Sequence, residues 1–140
     1  MQKIILDTNV IVSALIQQGY PYKVVDKVLT SGDIGLCVSE KLLQEYYEVL
    51  FRPKFSNITD FFVNAHVLLL RIETISQKFQ PQITLDILPD KDDNMLLELA
   101  EESKADFLIT GNINDFIIPS YKQTRILTPK EYLELETTRL

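Results

Sequence analysis

The chain has little of the chemistry that makes disulfides and zinc sites. Its 140 residues include one cysteine, Cys37, and one histidine, His66. One cysteine excludes a disulfide within the chain and a cysteine-rich zinc site. One histidine excludes a metal site built from several histidines of the same chain. Cys37 lies in the apolar run 34–38 and His66 in an apolar helical pattern, so we expect a buried core thiol and a structural histidine.

Long apolar runs and an excess of positive charge are also absent. No run reaches the roughly 18 apolar residues of a membrane span, and the first residues lack the pattern of a signal peptide. We therefore expect a cytoplasmic protein with no membrane partner. The net charge of -6, from 14 basic and 20 acidic side chains, argues against a broad basic surface for nucleic acid. It is compatible with an enzyme whose acids are masked by a divalent metal.

The patterning of the chain predicts one α/β domain over residues 1–140. At 46% hydrophobic residues, a chain of this length can bury a core of its own. Apolar strand patterns at 3–6, 34–38, 106–110 and 125–127, with a weak one at 83–88, alternate with helical patterns. This alternation predicts a parallel sheet of about four or five strands flanked by helices. Right-handed crossovers then place the strand ends on one rim.

Acidic side chains follow the strands and begin the helices that meet at this rim. Asp7 follows the first strand, and Asp115, with Asn112, follows the strand at 106–110. Asp93 opens a helix after an acidic turn, and Glu45 lies beside the apolar stripe of the helix that Ser39 is expected to cap. Carboxylates without matching lysine or arginine in the same motifs need a cation, and hard oxygen ligands favour Mg²⁺ or Mn²⁺. The predicted chemistry is metal-assisted hydrolysis of a phosphodiester.

Each of these acids also has a simpler interpretation. Asp7 and Asp93 are in positions where an acid caps a helix. Glu45 can extend its carboxylate along the surface into solvent, and Asp115 can be a turn residue. Asp90 and Asp92 are expected to be solvated turn acids. The joint placement of several acids favours a metal site over these separate explanations.

Six short motifs, in order along the chain, resemble those of one family. They are Ile5-Leu6-Asp7-Thr8-Asn9-Val10, then residues 39–46 (SEKLLQEY), 52–55 (RPKF), 89–94 (PDKDDN), 105–111 (ADFLITG) and 127–133 (LTPKEYL). With these motifs the sequence resembles the PIN-domain family, the ribonuclease fold of VapC-like toxins in toxin–antitoxin pairs. The last motif resembles that of a subgroup, the toxin components of the family.

The resemblance implies a three-layer PIN-like fold and a Mg²⁺- or Mn²⁺-dependent endoribonuclease. It implies Asp7, Glu45 and Asp93 as metal-binding catalytic acids, with the polar side chains of Thr8, Asn9 and Thr110 as supports. RNA as substrate, a small antitoxin as partner and a homodimer or higher homo-oligomer are further implications. The helix around residues 61–70 is our candidate for part of the dimer interface, the alternative being ordinary core.

The sequence departs from the family pattern at one position. The family usually has a fourth acid directly after its Thr-Gly pair, where this chain has Asn112. Asparagine offers a neutral oxygen to a metal but no charge. Asp115 either takes over the role of this acid or is a plain turn residue, and both alternatives stay open from the sequence.

Other functions compete with the ribonuclease. Arg52, Lys54 and Lys91 are candidate contacts to RNA phosphates, although scattered surface cations are usually only solvated. A phosphatase or receiver-like phosphoacceptor with Asp7 as nucleophile is disfavoured, because Gly111 and Asn112, and not a lysine, follow the late strand. A catalytically weak RNA-binding or regulatory module is the main alternative, and Asn112 is the residue that favours it.

Overall fold

The computed structural model describes residues 1–138, with the side chains of residues 1–135 except that of Asp115. Strands and helices alternate along this part of the chain. In order they are β1 (Gln2–Leu6), α1 (Thr8–Ile16), α2 (Tyr20–Thr30), β2 (Ile34–Ser39), α3 (Glu40–Leu50), α4 (Phe61–Ile75), β3 (Gln77–Phe79), α5 (Lys91–Ser103), β4 (Phe107–Ile109), β5 (Ser120–Tyr121), β6 (Thr124–Leu127) and α6 (Pro129–Thr138). Short 3-10 turns lie at Pro53–Phe55 and Ile113–Asp115.

The strands form a single mixed sheet in the order β3-β2-β1-β4-β6-β5. All neighbouring pairs are parallel except β5 and β6. The α/β class and the mostly parallel sheet are confirmed. The sheet has six strands in the described part of the chain, and not four or five, because the two edge strands have only three and two residues. Strands this short leave almost no pattern in a sequence.

Burial on both faces explains why the central strands are continuous apolar runs in the sequence. β1 lies between β2 and β4, and Ile4 and Ile5 are fully buried. Strands covered by helices on both faces need apolar side chains on both. Cys37 on β2 is also fully buried, as predicted, and burial raises the pKa of its thiol to about 11. None of the helices in residues 1–138 is long and apolar enough to cross a membrane.

The weak strand prediction at 83–88 is wrong. Residues 83–88 have no regular structure, and the edge strand lies earlier, at Gln77–Phe79. The backbone N–H groups of the later segment donate to side chains of α5 and not to a neighbouring strand. Glu98 accepts from Leu85 at 2.8 Å, and Asn94 accepts from Ile87 at 3.0 Å and from Leu88 at 2.8 Å. We call residues 83–88 the strap.

The helix starts follow capping chemistry, with one correction. Ser39 caps α3 by accepting from the Leu42 N–H at 3.2 Å, as predicted. Thr128 and Glu131 form the predicted reciprocal capping box at the start of α6. The acid that caps α5 is Asp90, which accepts from the Asp92 N–H at 2.8 Å. Asp90 is therefore the exposed cap of α5, and Asp93 lies within the first turn and does not cap the helix.

Replacing Asn94 by alanine tests how the strap is held. Asn94 is 3% exposed, accepts two strap N–H groups and donates to the carbonyls of Leu88 and Asp90. Because Asn94→Ala leaves these groups without partners, we expect a loss of about 2–4 kcal/mol in the free energy of unfolding. Chemical denaturation measures it, and hydrogen exchange at residues 85–88 should accelerate. Asn64→Ala on the exposed side of α4 is the control, with an expected change under about 0.5 kcal/mol. Equal losses in both variants would contradict this role of Asn94.

Candidate metal centre

Asp7 and Thr110 meet because two central strands end side by side. Leu6 of β1 pairs with Ile109 of β4. The backbone ladder continues for one residue, since the Asp7 N–H donates to the Ile109 carbonyl at 2.9 Å. The next side chains therefore share one edge of the sheet, and the Thr110 hydroxyl donates to Asp7 Oδ2 at 2.8 Å. Asp7 holds the N-cap position of α1, but its side chain makes no capping hydrogen bond. Its carboxylate faces Thr110, so capping does not account for it.

Asn9 connects this pair to the loop after β4. Its side-chain oxygen accepts from the Gly111 N–H at 2.8 Å. Its amide nitrogen lies 3.3 Å from Asp7 Oδ2 and 3.4 Å from the Thr110 hydroxyl. A Cβ on Gly111 would lie 3.2 Å from the Asn9 oxygen, so a larger residue at 111 would crowd this contact. Asn9 and Thr110 thus both contact Asp7, and their supporting role at a metal site stays a prediction.

Glu45 reaches the same edge from α3. The carboxylate is half-buried in the second turn of that helix and accepts a short hydrogen bond from the Thr8 hydroxyl. Burial raises the pKa of Glu45, and the negative charges of Asp92 and Asp7 raise it further, while the Thr8 hydrogen bond acts in the opposite direction. The structure therefore brings Asp7, Glu45 and Asp92 within electrostatic reach of one another.

Tyr46, the residue after Glu45, fixes α3 against β1. Its side chain is fully buried, and its hydroxyl donates to the Leu6 carbonyl at 2.5 Å. Burial raises its pKa well above the ordinary range, so the hydroxyl stays a neutral donor. Leu6 directly precedes Asp7, and Tyr46 directly follows Glu45. This hydrogen bond therefore holds the backbone segments of two candidate ligands next to each other. The sequence places Tyr46 on the apolar face of this helix, but it does not predict this hydrogen bond.

The first turn of α5 contributes two acids. Asp92 is exposed, as expected for a solvated turn acid, and its negative charge lies close enough to Glu45 to add to the effect of burial on the pKa of that carboxyl group. Asp93 is half-buried in the same turn. The signal for Asp92 was its place beside Asp93 in the acidic motif, but a sequence does not tell which of two adjacent helical residues faces a neighbouring helix.

The fourth position of the site is only partly described. Asn112 is exposed, and its backbone N–H donates to the Thr110 hydroxyl at 3.1 Å. The backbone of Asp115 belongs to the turn Ile113–Asp115, and its side chain lies outside the described residues. The proposed substitution of Asp115 for the missing acid therefore stays a prediction.

The three cations considered for RNA binding lie in different places. Arg52 forms an exposed ion pair with Glu48 at 3.6 Å, and Lys54 lies over the Phe55 ring, 5.2 Å from its centroid. Lys91 begins α5 and lines a cavity together with Asp92. The structure thus places Lys91 near the acids and gives the other two local partners.

The chemistry of the acids fits a hard divalent cation. Carboxylate oxygens are the ligands that Mg²⁺ and Mn²⁺ prefer, and a bound cation would relieve the repulsion that raises the pKa of Glu45. Among the side chains that the structure describes, no group of three acids, histidines or cysteines is placed to hold a metal by itself.

These features define a class of protein, an α/β fold with carboxylates gathered at the carboxyl edge of a mostly parallel sheet. The sequence pattern described as "PIN domain" matches residues 3–114. The chain therefore belongs to the PIN domain family. PIN domains are generally nucleases that typically use divalent metal ions, which places the chain among the hydrolases. It is also 28% identical to the "Uncharacterized protein MJ1680" of Methanocaldococcus jannaschii, over 94% of this chain and 90% of that protein.

Neutralising Glu45 should stabilise the protein without metal. A raised pKa means that the folded chain holds the Glu45 proton more tightly than the unfolded chain does. The ionised carboxylate therefore lowers stability above the ordinary pKa of about 4.3. We expect Glu45→Gln to melt at a higher temperature than the wild type at pH 7 in EDTA, with the difference vanishing as the pH falls to about 4. Glu48→Gln, on the exposed side of α3, is the control. A lower melting temperature for Glu45→Gln at pH 7 would refute the argument.

Proposed function

We propose that the protein is a Mg²⁺- or Mn²⁺-dependent endoribonuclease that hydrolyses RNA phosphodiester bonds in the cytoplasm. The observation that carries the proposal is that Asp7, held by Thr110, and Glu45, held by Thr8, meet at one sheet edge, with the charge of Asp92 close to Glu45. Such an arrangement is costly without a cation. Membership of a nuclease family supplies the reaction class, and RNA as substrate comes from the resemblance.

The proposed ligands are Asp7, Glu45 and Asp93, with Asp115 or Asn112 completing the set. The chemistry that a divalent cation supplies at such a site is neutralisation of phosphate charge and activation of water. The chain's own contribution is to hold the oxygens in place. Thr110 fixes Asp7 Oδ2 at 2.8 Å, and Thr8 fixes the Glu45 carboxylate. Groups held by their neighbours before the substrate arrives need no rearrangement during reaction.

A catalytically weak RNA-binding or regulatory PIN module is the second candidate. Two observations favour it: Asn112 stands where the family usually has an acid, and the described side chains contain no complete metal-binding group. A site with one ligand charge fewer binds a cation more weakly. The two candidates differ in whether the chain cuts RNA when Mn²⁺ is supplied.

Replacing Asp7 by asparagine is the direct test of the nuclease. We expect Asp7→Asn to weaken Mn²⁺ binding in calorimetry and to reduce Mn²⁺-dependent RNA cleavage by at least about 100-fold, because an electrostatic group at the reacting phosphate is lost. The melting temperature in EDTA should stay equal or rise. Asp33→Asn, at an exposed turn, is the control and should cleave normally.

The outcomes separate the candidates. Normal cleavage by Asp7→Asn would refute the site assignment. If the wild-type protein binds RNA but does not cut it at any Mn²⁺ concentration, the regulatory module replaces the nuclease.

We further propose a homodimer and a small antitoxin as partners of the protein. The toxin role rests on the resemblance of the sequence motifs. For the dimer, α4 offers a surface, since Val63, Val67 and Leu70 are 64%, 55% and 57% exposed. Their spacing places them on one side of the helix, while Phe61, Ala65 and Leu69 on its other side are core. The buried face of the helix is therefore core, and its exposed face is the proposed dimer interface.

A charge on this face tests the dimer. We expect the wild-type chain to run as a dimer in size-exclusion chromatography with light scattering and Val67→Glu to run as a monomer, because a buried unpaired charge opposes association. Ile117→Glu is the control, since Ile117 is 72% exposed outside α4. A monomeric wild-type protein, or equal dimerisation of all three, would refute the interface.

A further inference from the structure

A cavity of about 460 Å³ lies beside the first turn of α5 and includes Asp92, the neighbour of Asp93, in its lining. It lies between the first turn of α3, the strap and the first turns of α5, and its lining includes Lys41, Lys91, Asp92 and Met95. Asp92 lines the cavity, and its negative charge is close enough to act on Glu45, so one end of the cavity borders the acids. This volume lies in the range of small-molecule and cofactor sites.

The cavity continues away from the acids. A neighbouring cavity of about 270 Å³ shares Lys41, Thr84 and Met95 with the first and extends to Phe79 and Pro81. Together they form a path that leads from the acids along the strap to the end of β3. We call this path the strap groove. Asn94 and Glu98 hold the strap against α5, so this wall is in place before any ligand binds.

Two lysines line the groove: Lys91 lies beside Asp92, and Lys41 lies where the two cavities meet. Lys41 is four residues before Glu45 on α3, so the two side chains share one face of the helix. Lys91 is adjacent to Asp92 at the start of α5. Both lysines are exposed, and neither forms an ion pair with an acid in the described part of the chain. Two uncommitted ammonium groups beside a site for a reacting phosphate are suited to hold a neighbouring phosphate.

The rest of the lining suits a base better than a second phosphate. Asp86 is an acid on the strap, and Glu98 is occupied by the Leu85 N–H at 2.8 Å. Carboxylates repel phosphate but accept hydrogen bonds from the amino groups of bases. Met95, Phe79 and Pro81 supply apolar surface, and an aromatic ring offers a face on which an unpaired base can stack.

We propose that the strap groove binds one unpaired nucleotide next to the scissile phosphate, with Lys41 and Lys91 holding its phosphate group. This inference rests on the proposed ribonuclease function and adds to it the place on this chain where a nucleotide next to the cut would bind. A base in a duplex is stacked and paired, so it cannot enter between α3 and the strap.

The test measures RNA binding and not cleavage. The probe is a fluorescent single-stranded RNA oligonucleotide, and its affinity is measured by anisotropy with Mn²⁺ in the Asp7→Asn background, so that the probe stays intact. Adding Lys41→Ala or Lys91→Ala should each weaken binding and flatten the plot of log K against log salt by about 0.7, the value for one lost contact to a single strand. Lys130→Ala is the control, since Lys130 lies on α6 and lines neither cavity.

A matched duplex of the same sequence completes the design. We expect the duplex to bind more weakly than the single strand and to be insensitive to Lys41→Ala. Mn²⁺ calorimetry on the two lysine variants with Asp7 intact should match the wild type, which separates phosphate binding from an indirect effect on the metal.

The results distinguish this proposal from the nuclease proposal. If the wild type does not cut RNA but the lysine variants lose affinity as described, the nucleotide site stands and the nuclease fails. If the wild type cuts RNA and both lysine variants bind like Lys130→Ala, the groove proposal is overturned alone. It is also overturned if the Asp7→Asn protein, which keeps both lysines, does not bind single-stranded RNA measurably. The same holds if Lys41→Ala weakens binding of the duplex as much as binding of the single strand.

Discussion

The register between β1 and β4 is the constraint on which the candidate site depends. Leu6 and Ile109 are paired in the parallel ladder, so the residues that follow them leave the sheet together. A shift of one residue in this register would turn the side chains of one strand to the opposite face. Asp7 would then lose the Thr110 hydroxyl, and the contacts of Asn9 to Gly111 and Thr110 would be lost with it. The acid is therefore positioned by the pairing of two buried strands.

The helices that carry the other acids are held in place by polar contacts, and these contacts differ from one helix to the other. The Tyr46 hydroxyl ties α3 to the Leu6 carbonyl, which keeps Glu45 beside β1. Asp90 starts α5, and Asn94 and Glu98 join that helix to the strap. A buried polar group is stable only with its partners. The contacts that fix the positions of the helices therefore also hold the negatively charged side chains close to one another.

The sequence predicted those parts of the site that depend on local patterns. Asp7 follows an apolar strand run, Thr110 is implied by the family motif, and Ser39 and Thr128 have capping chemistry that acts within four residues. The contributions of Tyr46, Asn94 and Glu98 were not predictable, because each depends on the distance to a segment that is remote or irregular. The strap was predicted as a strand because apolar residues alternate along it. Its backbone N–H groups instead donate to the side chains of Asn94 and Glu98, which the sequence does not show. The approach of Asp92 to Glu45 was not predictable either, because it depends on how α5 is rotated against α3.

The two edges of the sheet have a consequence for how copies of the chain meet. β3 has three residues, two of them the polar and exposed Gln77 and Lys78, and β5 has two. Short edges with a lysine offer few free backbone groups to an incoming strand. The sheet is thereby protected against growth by strand addition, which is the route to aggregation for an α/β protein with so apolar a centre. If copies of the chain associate, the short edges direct that contact to the helical faces, where surface side chains decide which partner fits.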